Sequence, residues 1–121
     1  MKKIFIITLI SAFLFVDAGC KKATETAIDC IVESMFATLH ATPDDQDARL
    51  MHFKFSITTS DGVTLDPTLH WNFGDGHSLD ADTVSDHTYT DAGSYEVIVS
   101  YTLRKGSASC STTKNKSITI N

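Results

Sequence analysis

Leu69-His70-Trp71-Asn72-Phe73-Gly74-Asp75-Gly76 and, after a polar interval, His87-Thr88-Tyr89-Thr90-Asp91-Ala92-Gly93-Ser94-Tyr95-Glu96-Val97-Ile98-Val99-Ser100-Tyr101 decide the fold. In the first segment Leu69, Trp71 and Phe73 alternate with His70 and Asn72, the period of a strand with one buried face. Gly74-Asp75-Gly76 ends that strand, because glycine takes positive φ without steric penalty and aspartate tolerates turn geometry. In the second segment Tyr95, Val97, Val99, Tyr101 and Leu103 alternate with Glu96, Ile98, Ser100 and Thr102, which predicts a longer strand. Trp71 and Tyr95 lie in phase with the apolar faces and are expected in the core.

Asp91 to Val97 has the spacing of the corner before the sixth strand of an immunoglobulin-like sandwich, where a tyrosine packs inward and its hydroxyl bonds back to nearby backbone. Val97 stands where an antibody domain has cysteine. Together the two segments resemble the PKD (polycystic kidney disease) domain family, marked by Trp-Asp-Phe-Gly-Asp-Gly and then His-x-Tyr-x-x-x-Gly-x-Tyr. Trp71, Phe73, Gly74, Asp75, Gly76, His87, Tyr89, Gly93 and Tyr95 match that pattern, and Asn72 replaces its first Asp. The change is polar for polar on the outward face, so it bears on one side-chain hydrogen bond. The resemblance covers roughly Met35 to Asn121 and implies an all-β fold, an immunoglobulin-like (PKD-type) sandwich of about seven strands. No internal repeat accompanies it, so one module is expected.

Upstream, Met1-Lys2-Lys3, the apolar run Ile4 to Val16 and Ala18-Gly19-Cys20 have the three parts of an export signal. The run is about 13 residues, short of the roughly 20 that span a bilayer. Small residues directly before a cysteine resemble a lipobox, in which the cysteine is acylated and becomes the mature N-terminus. Asp17 stands where a lipobox usually has Leu; the alternative is ordinary signal-peptidase cleavage near Cys20. The expected organisation is a signal peptide over 1–19, a lipidated tether over 20–27 and a PKD-like domain over 28–121. Lipidation at Cys20 would place the protein in the cell envelope, lipid-anchored at the outer membrane, periplasmic side or cell surface. The Cys-Lys-Lys start and lone module are similar to small lipoproteins of Bacteroidota.

The formal charge is −5, and removal of Lys2, Lys3 and Asp17 with the signal makes the mature chain one unit more acidic. No basic cluster survives beyond Lys21-Lys22, which argues against nucleic acid as a partner. Three cysteines in an exported chain leave an odd one unless one is lipidated; setting Cys20 aside leaves Cys30 and Cys110. In an immunoglobulin-like sandwich the first and last strands commonly run parallel as neighbours, and these cysteines lie near their starts. Their pairing would close a loop of roughly 80 residues, stabilising by about 4 kcal/mol in the chain-entropy description. The alternative is two free buried thiols, which an oxidising compartment disfavours.

Ile28, Ile31, Val32, Met35, Phe36 and Leu39 follow a helical period, while Met35, Ala37, Leu39 and Ala41 also fit a strand. Thr38, His40 and Thr42 are poor helix formers, so the expectation is a helical turn over Asp29 to Ser34 and then a strand to about Thr42. Pro43 to Asp47 connects it to a strand in which Met51, Phe53, Phe55 and Ile57 should face Trp71. Val63 to Pro67 reads as a bridge, Ser78 to Asp86 as a polar excursion with at most a short strand near Val84, and Ser109 to Ile120 as the last strand.

Asp75, His77, Asp80, Asp82 and Asp86 are the densest set of metal-ligand residue types, and hard oxygens of this kind can hold calcium. Their spacing is no EF-hand loop, and turns in β-proteins use Asp for its own backbone hydrogen bonds, so no metal or cofactor is expected. His40, His52 and His70 fall at outward positions without zinc-type partners, unless the sheet sets His52 beside His40. No nucleophile–base pair or paired carboxylates appear, and a sandwich this small has no deep cleft to shift their pKa values, so no catalytic residues and no enzyme activity are expected. Asp82-Thr83-Val84 resembles an Asp-Thr/Ser-aliphatic O-glycosylation site, making Thr83 a candidate, with an ordinary loop threonine as the alternative.

The function expected is that of a noncatalytic lipoprotein module contacting an envelope protein or glycan, or acting as a spacer. A carbohydrate-binding accessory role would need exposed aromatics, for which Tyr89 and Tyr101 are the candidates. A calcium-dependent adhesion module is the third reading.

Overall fold

The computed structural model describes residues 28–121, so the signal segment, Cys20 and the tether lie outside the described residues. A short helix, α1 (Cys30–Ser34), leads into eight strands: β1 (Ala37–Pro43), β2 (Leu50–Ile57), β3 (Thr64–Leu65), β4 (Leu69–Asn72), β5 (Ser78–Ala81), β6 (Val84–Thr88), β7 (Gly93–Lys105) and β8 (Ala108–Ile120). One sheet has the order β1-β2-β6, and the other holds β3, β4, β5, β7 and β8. Every pairing is antiparallel.

β7 is the spine of the larger sheet because its alternation buries Val97, Val99, Tyr101 and Leu103 on one face. β8 pairs with it from Gly93↔Ile120 to Lys105↔Ala108, while β4 pairs at Ile98 to Ser100 and β3 at Leu103 and Arg104. Opposite, β2 turns Met51, Phe53 and Phe55 inward as its period requires. The Phe53 ring lies 6.1 Å from Trp71 and 5.6 Å from Phe73, and Phe55 lies 4.6 Å from Tyr101. Burying these aromatics drives the two sheets together.

The interval read as a polar excursion with a short strand near Val84 holds that strand, β6, and another before it, β5. β5 forms a hairpin with β4, and the chain then crosses to the other sheet, where β6 pairs with β2. Composition hid this because Ser78, Leu79 and Asp80 all face solvent, so the segment carries no apolar period. The crossing at Asp82-Thr83 is fixed by backbone: the Trp71 indole N–H donates to the Asp82 carbonyl (2.9 Å), and the Phe55 N–H donates to the Thr83 carbonyl (2.8 Å). Val63 to Pro67 likewise contains the two-residue β3. Tyr89 and Tyr101, the candidate sugar-stacking aromatics, are both buried. His52 faces Thr42, and His40 faces Lys54, so the two histidines are not cross-strand partners.

A disulfide joins Cys30 to Cys110 with the Cα atoms 6.0 Å apart. Its placement differs from the expected one. Cys30 sits in α1 and not in β1, and β8 pairs with β7. The bridge therefore pins a helical turn onto the larger sheet. Asp29 caps that turn, its Oδ1 accepting from the N–H groups of Ile31 (3.0 Å) and Val32 (3.3 Å). Glu33, buried, accepts from the Ser60 hydroxyl and N–H. With Cys30 and Glu33 directed at the domain, the stripe of Ile31, Val32, Met35 and Phe36 faces solvent, 77%, 46%, 74% and 56% exposed. That arrangement reverses what helical periodicity alone suggests.

The Tyr101 hydroxyl is buried without a hydrogen-bond partner among the described residues, and burial pushes its pKa up. Tyr101→Phe removes an unsatisfied donor and keeps the ring, so it should stabilise the fold by about 1 kcal/mol, seen as a higher urea midpoint with unchanged slope. Thiol labelling after unfolding without reductant should leave Cys30 and Cys110 unmodified; labelling of both would show that the bridge does not form.

Candidate functional site

The two motif segments that decide the fold meet in one cluster. After β4, the Phe73 N–H donates to the His77 carbonyl (3.0 Å) and closes a tight turn. Asn72 Oδ1 accepts from the Gly74 N–H (3.0 Å), so the amide oxygen makes a turn bond that a carboxylate in its place could make. Asp75 Oδ1 accepts from the His77 N–H (3.0 Å). Gly74 has φ +82°, and a Cβ there would lie 2.5 Å from the Glu96 carbonyl oxygen, so β7 excludes any side chain at this position.

β6 and the residue after it supply the other half. The His87 ring stacks on Phe73 at 4.1 Å with the planes nearly parallel, and meets Tyr89 edge-on at 4.7 Å. The buried Tyr89 hydroxyl donates to the Phe73 carbonyl (2.9 Å). Burial, with the negative charge of Asp75 in support, pushes the Tyr89 pKa far up and keeps the hydroxyl a donor. Tyr95, expected in the core, is only half-buried at the edge of a cleft; its ring lies 4.5 Å from Tyr89 and its hydroxyl donates to the Asp91 carbonyl (2.8 Å), as the tyrosine-corner spacing predicts.

Asp75 Oδ2 lies 2.7 Å from His87 Nε2 and 3.3 Å from His77 Nδ1. Burial works against the Asp75 charge, but the hydrogen bonds with His87 and the His77 N–H outweigh it and hold the carboxyl below its ordinary pKa. Asp75 and His87 are mostly occluded, with side chains 12% and 13% exposed, while His77 is open. A cleft of about 420 Å³ opens beside them, lined by Asp75, His77, Thr90, Asp91 and Tyr95.

Of the five residues singled out as metal-ligand types, the structure brings together Asp75 and His77. Asp80 pairs with His70 Nδ1 (2.7 Å), and Asp82 Oδ1 accepts from the Thr83 N–H (2.6 Å). Asp86 holds His52 Nδ1 (2.8 Å), whose Nε2 reaches Asp44 (2.9 Å). These bonds with Asp44 and Asp86 raise the His52 pKa. Thr83 is half-buried at the crossing between sheets. The residue missing from the sequence-derived cluster is His87; its signal was the His-x-Tyr motif, which places a polar side chain two residues before a buried tyrosine. Glu33 had no such signal.

A two-sheet antiparallel sandwich with a tyrosine corner, its first motif turn clamped to a His-x-Tyr strand, defines an immunoglobulin-like β-sandwich module. A family profile described as PKD domain matches residues 37–120, and the chain belongs to that family. The PKD1 domain of the Vibrio cholerae metalloprotease PrtV is similar in structure, with a TM-score of 0.56 at 22% identity, covering 70% of this chain and 94% of that domain. The PKD1 domain of Vibrio anguillarum Epp matches with a TM-score of 0.51 at 22% identity, covering 70% and 93%. At this identity the likeness is one of fold. A comparison with the curated proteins returns no match.

Asp75→Asn keeps the shape and loses the charge that His87 and the turn bind, and should destabilise the domain by about 1.5 to 3 kcal/mol. A carboxyl whose folded pKa is depressed stabilises above its unfolded value and loses that contribution as pH falls through the folded value. The gap between wild type and variant in chemical denaturation should therefore be full at neutral pH and close as pH drops below 3.8.

Proposed function

We propose that this protein is an envelope lipoprotein, anchored through Cys20, whose PKD domain serves as a noncatalytic protein-interaction or spacer module. The observation that carries the reading is the PKD fold itself, a small sandwich whose buried groups are spent on internal clamps. Among the described residues no helix is long and apolar enough to cross a membrane, and in this reading Cys20 is the anchor. Two acyl chains on that residue give stable attachment where one does not. Ile28, where the described domain begins, follows Cys20 by a tether that reaches at most roughly 28 Å when extended.

Protein contact is favoured over sugar stacking by the character of the exposed apolar surface. The candidate stacking residues Tyr89 and Tyr101 are buried, as is Trp71, and the one exposed ring of the stripe beside Thr58, Thr59 and Ser60, Phe36, lies among the aliphatic Ile31, Val32 and Met35. The calcium-adhesion reading is disfavoured by the separate engagement of Asp80, Asp82 and Asp86. Thr83 is retained as a candidate glycan acceptor. Wild-type protein should fractionate with membranes and incorporate labelled fatty acid, and Cys20→Ala should do neither. A soluble, unlabelled wild type would overturn the lipoprotein reading.

A further inference from the structure

We infer that Asp75, His77 and His87 form a binding site for a divalent transition-metal cation of the zinc class at the mouth of the Asp91–Tyr95 cleft. Their ligand atoms, Asp75 Oδ2, His77 Nδ1 and His87 Nε2, all lie within 4.8 Å of one another. Tetrahedral zinc with ligands near 2.0 Å needs neighbouring donors about 3.3 Å apart. The Asp75–His77 separation of 3.3 Å already meets that need, and the Asp75–His87 separation of 2.7 Å requires an opening of only about half an ångström.

Two of the three donors are held in place before any ion arrives. Asp75 is fixed by the His77 N–H on its other oxygen, and His87 by stacking on Phe73 and its edge contact with Tyr89. Such support keeps ligand positions from wandering when metal enters. His77, 69% exposed on the turn, is free to close onto the ion, its ring centroid 5.6 Å from that of His87. The cleft leaves a face open to water or to a donor from a partner.

Donor chemistry selects the ion. Two imidazoles and one carboxylate suit zinc, cobalt, nickel or copper, whereas calcium needs six to eight oxygens. Ligation through Nε2 takes the neutral imidazole of His87 with its proton on Nδ1. The site does not depend on the membrane anchor or on the interaction stripe, both of which lie elsewhere in the chain.

The purified full-length protein, stripped with chelator, tests this with Zn2+, Co2+ and Ca2+ as probes. Calorimetry should give one Zn2+ per chain, Co2+ should develop visible d–d absorption that Zn2+ abolishes, and a hundredfold excess of Ca2+ should displace neither. His77→Ala should weaken Zn2+ binding by more than about tenfold and shift the metal-free melting temperature only slightly, because the ring is 69% exposed. His52→Gln, which disrupts the separate Asp44–His52–Asp86 arrangement, should bind as wild type does. Equal Zn2+ affinity in His77→Ala and wild type, or loss of binding in His52→Gln, would overturn the assignment. So would absence of stoichiometric binding or displacement by Ca2+.

Discussion

The Tyr89 hydroxyl and the Phe73 carbonyl, joined in a buried hydrogen bond of 2.9 Å, connect the two sheets at the point where neither can move without the other. Phe73 follows β4 in the larger sheet, and Tyr89 follows β6 in the smaller. A buried carbonyl left without its donor would cost roughly 1 to 3 kcal/mol, so the bond fixes the relative position of the sheets as well as stabilising them. Around it the other contacts take their places. His87 stacks on Phe73 and reaches Asp75, Asp75 orders the turn, and Gly74 lets the turn lie against the backbone of β7.

This explains why the fold was legible mainly from two short segments. Their residue types are those of the clamp: an aromatic that gives its carbonyl, a glycine that must lack Cβ, an acid, a histidine and a tyrosine. The strands with a full alternating period, β2 and β7, could be read because one face of each is buried over its length. β5 and the crossing into β6 could not. Ser78 to Asp80 face solvent and are held mainly by backbone pairing with β4, which leaves no apolar period in the side-chain pattern.

The candidate site was half visible for a related reason. Asp75 and His77 are neighbours in sequence, and their types advertise ligation. His87 is brought to them by β6, a strand of the opposite sheet, so its proximity is a product of topology. The helical stripe misled in the opposite direction. Periodicity identifies a face but not its destination, and a disulfide with one buried glutamate turned that of α1 outward.

The bridge from Cys30 to Cys110 has a mechanical consequence. Residues 30 to 110 form a closed covalent loop, so tension entering through the chain before Cys30 and leaving beyond Ile120 passes through the sulfur pair into β8. From Cys110 onward β8 is already extended, rising about 3.4 Å per residue, and has almost no length left to give. The load runs along a single taut strand, and the aromatic core between the sheets is left outside its path.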